Sequence, residues 1–143
     1  MILDDTDQSL LELLRINSRA STSKLARELG LSRTTVTSRI ERLEQKGIIS
    51  GYTVRLNEQI ENSLIQAHVM ISSDPKHAAS IVKKLEKISA VRALHAVNGM
   101  FELLAIVTSN STQQLDQVLD EIGIIEGIQK TTSSIILSTK FSR

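Results

Sequence analysis

Residues 22–43 read TSKLARELGLSRTTVTSRIERL, and the spacing of their apolar side chains decides the fold of the first third of the chain. Leu25, Ala26 and Leu29 recur at helical spacing behind Ser21, Thr22 and Ser23, hydroxyl residues suited to capping a helix N-terminus. Gly30 then supplies the left-handed residue that commonly closes a helix. A further helix begins at Ser32, with Val36, Ile40 and Leu43 at i, i+4 and i+7, and stops at Gly47. Two short helices separated by Gly30, Leu31 and Ser32, with a small Ala26 where they must approach, form a helix-turn-helix. Leu25, Leu29, Leu31, Val36 and Ile40 are its expected core.

Upstream, Leu10, Leu11 and Leu14 follow Asp4, Asp5 and Asp7, so the spacing predicts a helix over residues 4–17 with an acidic first turn. Downstream, residues 48–54, broken by Gly51, read as a short strand or wing. A winged helix-turn-helix over 1–55, a polar linker over 56–63 and a second domain over 64–143 are therefore expected. In that second domain the pattern gives strands at 64–72, 91–98, 101–108 and 127–139, with helices at 76–88 and 111–122. The order βαββαβ is a ferredoxin-like plan, and the fold class is α+β. Its helices each carry one apolar stripe: Ala78, Ile81, Val82, Leu85 and Ile88, then Leu115, Val118, Leu119 and Ile122. The third strand is apolar on both faces, with Phe101, Leu103, Ala105 and Val107 on one side and Leu104 and Ile106 on the other. Large apolar patches are rare on soluble monomers, so a second copy of the chain is expected over the face the helices leave open.

Composition narrows the function. With 41% apolar and 23% charged residues, the 143-residue chain is globular rather than disordered or fibrous. Asp4, Asp5 and Asp7 leave no basic region of a signal peptide, and the apolar run at 64–71 is interrupted by Gln66 and His68, far short of a membrane helix. The chain has no cysteine, which excludes disulfides, thiolate metal sites and thiol nucleophiles. These features point to the cytoplasm, with no membrane partner. The net charge of +1 hides an asymmetry: nine Lys or Arg against seven Asp or Glu up to Arg55, then eight against nine. The basic excess lies with the helix-turn-helix.

On the third helix, Thr34, Ser38 and Gln45 lie about 160° to 200° from Val36 at 100° per residue, opposite the core. Thr35, Arg42, Arg39, Lys46 and Arg33 edge that polar face with cations and another hydroxyl. β-Branched Thr is a mediocre surface helix former, so stability alone would favour Ala, Glu or Lys here. A polar, cation-edged helix suits the major groove of duplex DNA. Arg33, Thr34, Thr35 and Ser38 are the expected base-edge contacts, because the start of a recognition helix reaches deepest. Arg39, Arg42, Ser21, Thr22 and Ser23 are expected at phosphates, helped by the amides at the Ser32 and Ser21 caps. Arg39 has a second reading, an ion pair with Glu41, Glu44 or an acid of the first helix.

Leu3-Asp4, Asp7, Leu10-Leu11, Leu14, Arg19, Leu25-Ala26, Leu31-Ser32, Arg39-Ile40, Leu43-Glu44, Gly47-Ile48-Ile49 and Gly51-Tyr52 together resemble the leucine-responsive/asparagine-synthesis regulators, the feast/famine (Lrp/AsnC) family. Gly99, Gly127-Ile128, Thr131 and the run from Ser133 to Leu137 continue the likeness to the end of the chain. The resemblance implies a DNA-binding transcriptional regulator whose ferredoxin-like domain pairs sheets into dimers. It also implies assembly into octamers or other rings, and amino-acid effectors bound near the turn at Gly99. The corresponding effector surface is Gly99, Met100, Phe101, Glu102, Thr131 and Ser133, unless these only make contacts between dimers or pack the turn. Where the family has Asp, Tyr and Asp after the glycine, this chain has Met100, Phe101 and Glu102, and the partner for an ammonium group at Met100 is gone.

Three other classes compete. An enzyme would have to work with His68, His77 and His95, which show neither HxH nor HExxH spacing, and no glycine-rich phosphate loop is present. Neither enzymatic activity, a metal site nor a cofactor is expected. An RNA-binding sheet would need paired aromatics, whereas the chain has Tyr52, Phe101 and Phe141 alone. A ligand-independent architectural DNA-binding protein is the closest alternative.

Overall fold

The computed structural model describes residues 3–143. The chain forms two compact units, Met1–Arg55 and Leu56–Arg143. In the first, α1 (Asp5–Ile16), α2 (Thr22–Leu29) and α3 (Arg33–Gln45) enclose a core of Leu10, Leu14, Leu25, Ala26, Val36 and Leu43. Each helix starts on a side-chain cap: Asp4 accepts from the Asp7 amide, Ser21 from Lys24 and Ser32 from Thr35. Asp4 is thus the cap itself rather than part of the first turn. Gly30 closes α2 at φ 66°, and the Leu31 amide donates to the Ala26 carbonyl, turning the chain sharply into α3.

The expected wing does not form. Residues 48–57 contain no strand, because a single extended segment has no partner in this unit for its amides and carbonyls. The Ile48 and Ile49 amides donate instead to the Leu43 carbonyl at the end of α3. The segment read as a featureless linker also holds structure: Asn57 caps a single-turn helix, α4 (Glu58–Glu61).

The second unit follows the order β1 (Ile65–Ser73), α5 (Ala78–Glu86), β2 (Val91–Ala96), β3 (Leu103–Ser109), α6 (Thr112–Gly123), β4 (Ile128–Ile135), with a 3-10 turn at Pro75–His77. All neighbouring strands are antiparallel, in the order β2-β3-β1-β4, as the ferredoxin-like plan requires. The last strand is shorter than residues 127–139. Ala67, Val69 and Ile71 of β1 and Ala105 and Val107 of β3 pack under Ile81 and Leu85 of α5 and Leu115, Val118 and Ile122 of α6. Alternation puts His68 and Met70, with Leu104 and Ile106, on the opposite face. Both α5 and α6 lie on the first face, and those four side chains stay half-buried outside the core.

Candidate nucleic-acid interface

On α3 the burial alternates with the turn of the helix. Val36 and Leu43 are fully buried, Ile40 is half-buried, and Thr34, Thr37, Ser38, Glu41 and Gln45 are exposed. The hydroxyls of Ser32 and Thr35 lie 2.8 Å apart, and Ser32 also accepts the Thr35 amide, so this pair serves the cap and Thr35 is half-buried. Thr34 and Ser38 keep their hydroxyls on the open side. Arg33, in the first turn, is exposed and reaches back to the Ser23 hydroxyl at 3.4 Å, tying the start of α3 to α2. Ser21 is occupied as the α2 cap, with Thr22 and Ser23 half-buried behind it.

Arg39 and Arg42, expected at phosphates, are both engaged by acids of the same unit. Asp7 is buried, with 1% of its side chain exposed, and its two oxygens accept from Arg39 at 2.9 Å and from Arg42. Arg39 Nη1 also donates to Asp4 at 2.8 and 3.0 Å. A buried carboxylate needs cationic partners, and two turns of α3 deliver them. The second reading of Arg39, an ion pair with an acid at the first helix, is the one the structure supports. The hydrogen bond from Arg39, then the Asp7 amide, hold the Asp4 carboxyl below the usual carboxylate range, while the hydrogen bonds Arg39 makes to the Asp4 and Asp7 carboxylates raise Arg39. Two Arg against two Asp leave this cluster neutral.

The other set of predicted residues lies at one end of the sheet. Gly99 and Met100 occupy the β2–β3 turn, where Met100 is 87% exposed, and Phe101 is half-buried. Glu102 donates its amide to the Ile71 carbonyl, and its carboxylate accepts from the Ser73 amide at 3.1 Å. Thr131 and Ser133 are exposed on β4, opposite Ile71 and Val69. β1 therefore runs between Glu102 and the β4 pair, and one chain does not bring all six residues together.

Comparison with known proteins settles the family. The AsnC-type helix-turn-helix domain matches residues 3–44 and the Lrp/AsnC ligand binding domain matches residues 66–143. The chain belongs to the Lrp/AsnC family of transcriptional regulators. It is similar to the HTH-type transcriptional regulator LysM of Saccharolobus solfataricus, 35% identical over 97% of this chain and 96% of the relative. AsnC of E. coli superposes with a TM-score of 0.89 at 27% identity, covering 100% of this chain and 97% of that one. A feast or famine regulatory protein from M. tuberculosis, complexed with L-methionine, gives 0.87 at 34% identity, covering 99% and 96%. As an Lrp/AsnC protein the chain carries a DNA-binding helix-turn-helix and works in transcription regulation. No helix among the described residues is long and apolar enough to cross a membrane.

In this Lrp/AsnC chain Asp7 is a structural residue that the apolar periodicity alone does not mark. The signal was present: Asp7, Leu10 and Leu14 share the i, i+3, i+7 face of α1 that is buried, so an acid there demands a cation from the facing helix. Arg27, exposed on α2, lines the same depression as Arg33, a placement that one helix's periodicity does not give.

Proposed function

We propose that this chain reads duplex DNA with the exposed face of α3, through Thr34 and Ser38, with Arg33 at the helix start holding the backbone beside them. Ser21, Thr22, Ser23, Ser32 and Thr35 sit against the adjoining backbone. One observation carries the reading: α3 buries Val36 and Leu43 while the N-terminal half of its open side carries the short hydroxyl groups of Thr34, Thr37 and Ser38. The chain acts in the cytoplasm as a dimer, in which a second copy covers Met70, Leu104 and Ile106, and dimers assemble further into an octamer or another ring. It has no enzymatic activity of its own.

An amino acid modulates the regulator at Gly99, Met100, Phe101, Glu102, Thr131 and Ser133, with further residues coming from a neighbouring copy. The likeness to the L-methionine complex and the match to a ligand binding domain support this. Glu102 offers one unoccupied carboxylate oxygen for an ammonium group, since the other already accepts from Ser73. Fluorescence anisotropy on duplexes selected from genomic DNA, with and without single amino acids, tests the whole reading. Tight, sequence-dependent binding shifted by one amino acid is expected; an effector at 100 times its Kd also adds about 2.7 kcal/mol of stability. Failure to bind any duplex at low salt contradicts it.

The ligand-independent architectural reading has Met100 in its favour, since an exposed thioether offers an amino acid no charge. Binding and footprint unchanged across all amino acids would select that reading.

A further inference from the structure

We infer that the backbone grip of this helix-turn-helix lies in the depression between α2 and the start of α3, where Arg27 and Arg33 clasp a DNA phosphodiester. The inference rests on the DNA-binding reading and assigns a role to Arg27. Ser23, Ala26, Arg27, Leu31 and Arg33 line a shallow concavity of about 490 Å³. Its two guanidiniums have no carboxylate within 4.0 Å among the described residues, whereas Arg39 and Arg42 are neutralised by Asp4 and Asp7. The remaining polar side chain in the lining is a hydroxyl, Ser23, which holds Arg33 Nη1 at 3.4 Å and orients it across the gap. Lys24 adds a further cation in the adjoining depression, which it shares with Arg27 and Glu28; Glu28 lines that second depression and not the first.

The chemistry fits a phosphodiester for three reasons. Arginine presents planar donors that bind phosphate oxygens in pairs. The floor, Ala26 and Leu31, is apolar and offers no competing carboxylate. The depression abuts the N-terminal half of α3, whose Thr34 and Ser38 face the groove in the proposed complex, so a backbone strand bordering that groove is the anion within reach.

The test measures affinity for a selected duplex and a scrambled duplex of equal length across a salt series, using the full chain and the variants Arg27→Ala and Ser38→Ala. Arg27→Ala is expected to weaken both duplexes by a similar factor and to lower the slope of log affinity against log salt by about one per bound protomer. The melting temperature and oligomeric state without DNA should stay at wild-type values, because Arg27 is exposed and unpaired among the described residues. Ser38→Ala should reduce the preference for the selected duplex and leave the slope unchanged. If selective binding depends on Ser38 while Arg27→Ala keeps the wild-type slope, the phosphate clasp is overturned and the DNA-binding reading stands. If the wild-type protein binds neither duplex, both fall. A change of oligomeric state in Arg27→Ala without DNA would assign Arg27 to a protein contact and overturn the clasp as well.

Discussion

Asp7 accepts from Arg39 and Arg42 with 1% of its side chain exposed, and both bonds join α1 to α3. Asp7→Ala removes two charge-assisted hydrogen bonds and is expected to cost about 2–3 kcal/mol, read as a lower urea midpoint for the N-terminal unit. Asp4 adds a pH dependence of definite sign. Its carboxyl is lowered from 3.8 in the folded chain, chiefly by Arg39, so its stabilising contribution is complete above about pH 4 and is lost as pH falls through the lower folded value. Melts between pH 6 and pH 2 should show this acid-side loss, and Asp4→Asn should flatten it. An Asp4→Asn protein with the wild-type pH profile would contradict the assignment. Charges of this kind were half legible in the sequence. Helical geometry placed Arg39 on the flank of α3, but a wheel for one helix does not say which acid of another helix will meet it. The same limit applies to Arg42, whose bond to Asp7 a single-helix wheel does not give.

At the scale of elements, α3 depends on Val36, which is fully buried between α1 and α2 in the core of its unit. Val36→Asp places an unpaired charge there and is expected to unfold residues 1–55 while the second unit stays folded, seen as loss of part of the helical circular dichroism with a remaining cooperative melt. Loss of the whole signal in one step would contradict two independently folding units. In the second unit the link into β4 turns on Gly127, at φ 96°. A Cβ there would collide with the Cβ of His77 and lie 2.6 Å from its Cγ, so Gly127→Ala combines backbone strain with overpacking and should cost about 2–4 kcal/mol in a chemical melt. Periodicity showed the helices and the strand order because apolar residues recur at 3.6 and 2.0 residues. It did not show the absent wing, because residues 48–54 have the composition of a strand, and pairing depends on a partner that one copy does not supply. It did not show the close approach of His77 to Gly127 either, since that is a contact between distant segments.

For the whole molecule, the sheet is covered on one face by α5 and α6, while Met70, Leu104 and Ile106 on the other stay half-buried, where the proposed dimer places a second copy. If the proposed dimer forms over this face, Leu104→Glu is expected to give monomers in light scattering where the wild type gives dimers, because a charge would then face an apolar interface. A dimeric variant would place the interface elsewhere. The two-sided apolar pattern of residues 101–107 is the legible sign behind the proposed dimer, whereas the proposed effector surface is less legible, since its residues lie two strands apart. The central claim, that the open side of α3 reads bases, is tested most directly by the ratio of affinities for a selected and a scrambled duplex in Thr34→Ala/Ser38→Ala. The account predicts a ratio reduced about tenfold or more with an unchanged melting temperature; a ratio equal to that of the wild type would contradict it.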